Sequence, residues 1–309
     1  MTIYHQNLTD KIVKSGISYP NIFKKMPADM SNYLDHFDLP YNDAKYEGGY
    51  LKVGIHQIFL QTFTPPEFQK TAFLFHGYFD HGGYFSNVVS LLLKKGIRVV
   101  VWDQPGYGLS SGERAFCNTF EDYIFVAEAI IQKFVENESA GPHLFIGHSA
   151  GCAQILSLIC NRKIDQQDKI IFIAPLIHCT HWKLVTFMMS LLGSFLKKVP
   201  RKLKRVSNDQ EFIKKIRSDH LEGRSVHLSW PKALIQWEKT LVEMKTPIVH
   251  ILVLQGDLDD TVDWRYNMKW LEGKFSNLEK VMFKGGRHHL HNEAPELLQK
   301  VLKAIESFL

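Results

Sequence analysis

Gly147-His148-Ser149-Ala150-Gly151 follows an apolar run, Pro142 to Ile146, and precedes a helix-compatible one, Cys152 to Cys160. That setting predicts a strand, a sharp turn and a helix, with Ser149 at the turn. A serine hydroxyl is a poor nucleophile at neutral pH, so it needs an exposed position, a neighbouring base and donors for the oxyanion it creates. Glycines at 147 and 151 let neighbouring backbone approach closely and allow the strained dihedrals that point Ser149 outward. Short Gly-x-Ser-x-Gly matches are frequent by chance, and an ordinary glycine-containing turn reads the same way. The setting favours a nucleophile, whose partners must come from elsewhere in the chain.

Outward from this turn, short apolar, β-rich runs recur: Leu51 to Phe63, Thr71 to Phe75, Arg98 to Trp102, His143 to Ile146, Lys169 to Ile173, Ile248 to Leu254 and Lys280 to Phe283. Helix candidates separate or follow them: Tyr84 to Lys95, Thr119 to Asn137, Ala150 to Arg162, Val262 to Phe275 and Ala294 to Phe308. This alternation predicts an α/β fold. Between Ala174 and Pro247 roughly seventy residues carry helical periodicity without a convincing strand, too long for a connection and suited to an inserted helical cap. The expected division is an arm over 1–50 packed on the core, a core over 51–175 and 241–309, and a helical cap over 176–240. Pro20, Pro27 and Pro40 give the arm an irregular reading.

A chain of 309 residues with 45% hydrophobic content buries a substantial core. The formal net charge of +5 is too weak to imply a nucleic-acid partner and is compatible with approach to an anionic membrane surface. Met1 to Asp10 lacks a charged segment followed by an apolar one, so the expected location is cytoplasmic. The nearest approach to a spanning segment, His181 to Leu196, is interrupted by Lys183 and several small or polar residues. Cys117, Cys152, Cys160 and Cys179 lack metal-ligand spacing and read as buried free thiols.

Two later segments can supply the partners of Ser149. Gly256-Asp257-Leu258-Asp259-Asp260 offers three carboxylates at a strand end, where α/β sites assemble. Arg287-His288-His289-Leu290-His291 places three histidines after the last strand. Carboxylates in such positions commonly cap the next helix instead. The histidines could suggest a metal, but no second cluster of acidic or cysteine ligands has matching spacing, so neither metal nor cofactor is expected. The chain order serine, acid, histidine is the one expected of an α/β-hydrolase, where an imidazole takes the serine proton and a carboxylate fixes its tautomer.

These residues resemble the monoglyceride lipase and bacterial lysophospholipase branch of the α/β-hydrolases. His76-Gly77-Tyr78-Phe79-Asp80-His81 is similar to that branch's oxyanion loop, with an acid and a histidine shortly after. Asp103 to Arg114 resembles its Asp-x-x-Gly-x-Gly-x-Ser-x-Gly-x-Arg turn, and His288-His289-Leu290-His291-Asn292-Glu293 its His-x-Leu-His-x-Glu segment. The likeness runs from about Leu51 to the C-terminus, specific in the core and loose in the cap. It implies a mostly parallel central sheet flanked by helices, with Ser149 as nucleophile and His288 as general base and then acid. It makes Asp259 the orienting carboxylate, through the Gly-x-x-Asp-x-x-Val pattern from Gly256 to Val262, with Asp260 the runner-up. Backbone N–H groups of Tyr78 and Ala150 would form the oxyanion hole. Tyr78, bulkier than its counterpart in many relatives, would restrict the acyl channel.

His181 to Val199 carries a broad apolar surface that includes Trp182, Leu184, Phe187, Met188, Leu191 and Phe195. Lys197, Lys198, Arg201, Lys202, Lys204 and Arg205 follow at once. Apolar surface beside clustered cations suits an anionic bilayer interface, and equally a face packed over the core with a solvated edge. The expected function is hydrolysis of a single-acyl-chain lipid ester, a lysophospholipid or a monoacylglycerol, through an acyl-enzyme. The basic residues lean toward lysophospholipid. The alternatives are an esterase or peptidase on a small soluble substrate, and a non-catalytic lipid-binding protein of the same fold.

Overall fold

The computed structural model describes residues 6–21, 26–136, 142–161, 163–192, 196–244 and 248–309. Helices α1 (Gln6–Ser15) and α2 (Ala28–His36) precede a hairpin of β1 (Lys45–Val53) and β2 (His56–Thr64). The run from Leu51 to Phe63, read as one strand, spans the end of β1, the turn and most of β2. Val53 pairs with His56, and Gly54 reverses the chain at φ 57°, a left-handed conformation that costs glycine little. The residues before position 51 are correspondingly less irregular than their prolines suggest. Met30, Tyr33 and Leu34 recur at helical spacing along α2, and together with Ile12 of α1 they share a core with Phe59 and Phe63 of β2.

The chain continues through β3 (Lys70–Phe75), α3 (Ser86–Lys94), β4 (Ile97–Trp102), α4 (Phe120–Val135), β5 (Leu144–His148), α5 (Ala150–Cys160) and β6 (Lys169–Ile173). Asn137 and Arg162, read as helix ends, lie outside the described residues. Between β6 and the next sheet strand come α6 (Trp182–Leu192), β7 (Lys198–Pro200), α7 (Gln210–Ser218), β8 (Ser225–His227) and α8 (Ser229–Thr240). This stretch was read as helical throughout, but β7 and β8 form an antiparallel pair. Each is three residues long and neither is an apolar run, so periodicity could not reveal them. Phe195 lies outside the described residues.

β9 (His250–Gly256), α9 (Trp264–Lys274), β10 (Leu278–Phe283) and α10 (Pro295–Phe308) complete the chain. The eight-stranded sheet has the order β1-β2-β4-β3-β5-β6-β9-β10. Every pairing from β4 to β10 is parallel, while β2 meets β4 antiparallel. Helices cover both faces, so central strands are apolar without alternation, and every residue of β4 is buried. One core layer holds α4, α5 and the α8 residues Trp230, Leu234 and Trp237; the other holds α2, α3 and α10. Parallel strands end at one sheet edge, and the loops after β3, β5, β9 and β10 gather there.

Candidate active site

Ser149 sits between β5 and α5 at φ 52° and ψ −114°, a strained conformation for a residue with a side chain. The flanking glycines are needed for space. A Cβ at position 147 would stand 2.7 Å from the Cys152 nitrogen, and one at 151 would stand 2.0 Å from the Phe75 carbonyl oxygen. The turn is pinned by the Ser149 N–H donating to the Ile173 carbonyl at 3.0 Å. Ser149 is 6% exposed, covered rather than projecting into solvent, and a covered site strengthens whatever donors face it. Ala150 opens α5, so its N–H is among those lacking an intrahelical acceptor.

Of the three carboxylates after β9, Asp259 is the one that meets a histidine. Its Oδ2 accepts from His288 Nδ1 at 2.8 Å and from Gln255 Nε2 at 3.2 Å, while Oδ1 accepts from the Thr261 N–H at 2.8 Å. Burial alone would raise the Asp259 carboxyl; the charge of His288 and the hydrogen bonds around the carboxylate hold it below its ordinary value. Burial pulls His288 down, and Asp259 together with Asp80 more than offsets this, leaving the imidazole above its ordinary value. Asp260 is exposed and engages its neighbours through its carbonyl, which accepts from Thr180 Oγ1 at 2.8 Å. Asp257 accepts from the Gly285 N–H at 2.7 Å. The helix cap expected here belongs to Asp263, which accepts from the Tyr266 N–H at 3.3 Å.

The loops after β9 and β10 meet because Gly256 has no side chain. A Cβ there would lie 2.3 Å from the Gly286 carbonyl oxygen. The Leu258 N–H donates to that same oxygen at 3.0 Å, carrying Asp259 toward His288.

The loop after β3 also packs against Ser149. A Cβ at Gly77 would come within 3.1 Å of the Ser149 Cβ. His76 Nδ1 donates to the Gly77 carbonyl at 2.8 Å, and His76 Nε2 accepts from the Gln104 N–H at 2.9 Å, an arrangement that requires the neutral ring. Burial favours that form by lowering the His76 pKa. The Tyr78 hydroxyl donates to the Ala115 carbonyl at 3.2 Å, and its ring stacks on Trp230 of α8 at 3.9 Å. Its bulk is thus packed against the segment between β6 and β9.

The Asp103 to Arg114 segment is a braced turn. Asp103 accepts from the Gly82 and Leu109 N–H groups at 2.7 and 2.8 Å, and Gly108 at φ 47° leaves room for its carboxylate.

Asp80 and His148 escaped the sequence reading as partners of one another. Asp80 Oδ2 accepts from His148 Nδ1 at 2.6 Å, across 68 positions of sequence, and His289 Nε2 lies 3.4 Å from Asp80 Oδ1. Their signals were the acid after the His-Gly loop and the histidine just before Ser149. His148, His289 and His291 place ligand-capable atoms within 4.8 Å of one another, a grouping that sequence reading drew with His288 in place of His148. His148 Nδ1 donates to Asp80, and burial pulls the ring down to about 4, so it is neutral and its unprotonated Nε2 faces the His288 carbonyl at 3.2 Å.

A family model described as Hydrolase_4, serine aminopeptidase S33, matches residues 66–295. The chain is 24% identical over 262 residues to a monoglyceride lipase homolog of Monkeypox virus, covering 82% of this chain and 94% of that one. It is 23% identical over 299 residues to a Homo sapiens monoglyceride lipase, with 92% and 96% covered. The fold is similar to that of a soluble variant of Saccharomyces cerevisiae monoglyceride lipase solved with a substrate analog. That match has a TM-score of 0.75 at 16% identity, over 84% of this chain and 93% of that one. A braced serine turn, a histidine–carboxylate pair beside it and a sheet of this order accompany the family match, and the chain belongs to the Hydrolase_4 (serine aminopeptidase, S33) family, in the monoglyceride lipase branch of the α/β-hydrolases.

Proposed function

We propose that this protein is a carboxylic ester hydrolase acting on monoacylglycerols through a Ser149 acyl-enzyme. The hydrogen bond between His288 Nδ1 and Asp259 Oδ2, formed beside the Ser149 turn, carries the reading. His288 takes the Ser149 proton as the hydroxyl oxygen attacks the ester carbonyl, and then protonates the departing glycerol oxygen. A water molecule, deprotonated by the same imidazole, then attacks the acyl carbon; Ser149 recovers its proton and the fatty acid leaves. Asp259 keeps the proton of the resting imidazole on Nδ1 and stabilises the imidazolium. The N–H groups of Tyr78 and Ala150 stabilise the oxyanion in both halves of the reaction.

A neutral glyceride is favoured over a lysophospholipid. Three of the six cations that suggested a phosphate partner have protein partners: Lys198 pairs with Glu113 at 2.7 Å, Arg201 with Glu222 at 2.5 Å, and Lys204 with the Asp260 carbonyl. The named relatives are a monoglyceride lipase and a monoglyceride lipase homolog as well. Among the described residues no helix is long and apolar enough to cross a membrane. The segment 176–240 is proposed as the cap, with α6 its lipid-facing helix. Leu184 and Phe187 are each 57% exposed, Leu191 is 53% exposed, and Lys197 is exposed nearby.

Monoolein, lysophosphatidylcholine, a short p-nitrophenyl ester and an amino-acid anilide, assayed with wild type and Ser149→Ala, test this. Turnover of monoolein that Ser149→Ala abolishes is the expected result. Exclusive cleavage of the anilide would instead support the aminopeptidase activity for which the matched family is named. Activity surviving in Ser149→Ala would remove the serine mechanism.

A further inference from the structure

We infer that Asp80 is a positioning residue that locks the oxyanion loop to the nucleophile turn, so that the Tyr78 and Ala150 donors are held in one geometry. This rests on the reading of Ser149 as nucleophile and of those two N–H groups as the oxyanion hole.

Asp80 closes the Gly77-Tyr78-Phe79-Asp80 turn twice. Its N–H donates to the Gly77 carbonyl at 3.2 Å, and its Oδ2 accepts from the Gly77 N–H at 3.2 Å. Tyr78 lies inside this closed turn, so its N–H direction follows from it. Phe79 adopts φ 69°, which a residue with a side chain holds only where its surroundings impose it, and a double closure does so.

The same Oδ2 accepts from His148 Nδ1 at 2.6 Å. His148 immediately precedes Ser149, and Ala150 immediately follows it. One carboxylate oxygen therefore ties the segment bearing one donor to the segment bearing the nucleophile and the other donor. Space there is short: a Cβ at Gly77 would stand 2.7 Å from Asp80 Oδ2 and 3.1 Å from the Ser149 Cβ. Packing between the two segments leaves little room for drift while the carboxylate holds them together.

Asp80 is buried, yet it carries its charge. Burial alone would raise its carboxyl, and His289 and His148 hold it well below the usual carboxylate range. That charge reaches His288. The groups facing His288 are Asp259 from the loop after β9, Asp80 from the loop after β3, His148 from β5, His289 and His291 from its own loop, and Lys204 from the inserted segment. Asp80 is one of the two carboxylates among them that favour the imidazolium.

Asp80→Asn keeps the shape and removes the charge, and is compared with wild type, Ser149→Ala and His148→Ala. Thermal unfolding and circular dichroism establish folding. With monoolein, kcat should fall about 100-fold, the scale of a lost oxyanion donor, with KM within about threefold. The acid limb of the kcat/KM profile should move to lower pH, because one charge that favours imidazolium is gone; a purely structural role would not move it. His148→Ala should reproduce the kcat loss, and the double variant should lose little more, since both break the same tie. A kcat within threefold of wild type in folded Asp80→Asn, or fully additive losses in the double variant, would overturn the inference. If Asp80→Asn does not fold, His148→Ala with kcat within threefold of wild type overturns it alone. Should Ser149→Ala retain activity, the underlying mechanism fails instead, which separates the two outcomes.

Discussion

His148 Nε2 lies 3.2 Å from the carbonyl oxygen of His288, and the two rings are 4.8 Å apart, so the loop carrying the proposed base packs against the residue beside the proposed nucleophile. Two segments 140 positions apart thereby meet at the sheet edge. The base's other anchor is Asp259, and the relationship of these three residues yields the first prediction.

Asp259→Asn should lower kcat by about 10⁴-fold, because an amide no longer selects the required tautomer. Asp260→Asn should stay within threefold of wild type, since that side chain is exposed. The pH profile carries an independent sign. Activity needs neutral His288, and its raised pKa places the acid limb above 6.5, with activity falling as pH drops through it. In Asp259→Asn burial remains and the raising charge is lost, so the limb moves to lower pH. Initial rates from pH 5 to 9 check both points.

Gly151→Ala should fail to give a stable protein, because its Cβ would stand 2.0 Å from the Phe75 carbonyl oxygen within the sheet. Gly285→Ala makes the contrast. Its position has φ 78° but no atom within 4 Å of an added Cβ, so only backbone strain applies, on the order of 1 kcal/mol. Urea unfolding of the soluble fractions distinguishes a lost fold from a shifted midpoint.

Arg201→Met removes the partner of Glu222, whose side chain is 1% exposed, and uncovers the Phe79 ring that the guanidinium overlies at 3.9 Å. Breaking a buried pair costs up to about 3 to 5 kcal/mol, and less where Glu222, already pushed up to about 7 by burial, takes a proton. Adding Glu222→Gln should recover part of the loss, because the unpaired carboxyl is then gone. Chemical denaturation of the single and double variants is the measurement, and equal stability of Arg201→Met and wild type would contradict it.

Phe187→Asp with Leu191→Asp should weaken binding to vesicles containing phosphatidylserine and slow hydrolysis of vesicle-borne monoolein. Turnover of a soluble p-nitrophenyl ester should stay within twofold of wild type. Both side chains are exposed on α6, so the change alters surface rather than core. Co-sedimentation and parallel assays check it. Equal loss on both substrates would place α6 in the core reaction instead.

Local rules made much of this legible in advance. The Ser149 turn was readable because two glycines and the change from an apolar run to a helical one are properties of neighbouring residues. The strands and helices of the core were readable for the same reason. Asp259 was distinguishable from Asp257 and Asp260 only by family pattern, since three carboxylates at one strand end look alike until the loop after β10 is placed. The β1–β2 turn was hidden because Gly54-Ile55 interrupts the run too briefly to read as a break. The expected exposure of Ser149 gave way to burial, because the segments that cover it come from elsewhere in the chain.

The amino-acid sequence by itself determined the periodicities, the glycines and the order of serine, acid and histidine, because each depends on residues within a few positions of one another. Tertiary structure decided which groups meet: Asp259 with His288, Asp80 with His148, and Tyr78 with Trp230. Those pairings depend on strand order, which brings the ends of β3, β5, β9 and β10 to one edge of the sheet, and strand order follows from packing the whole chain.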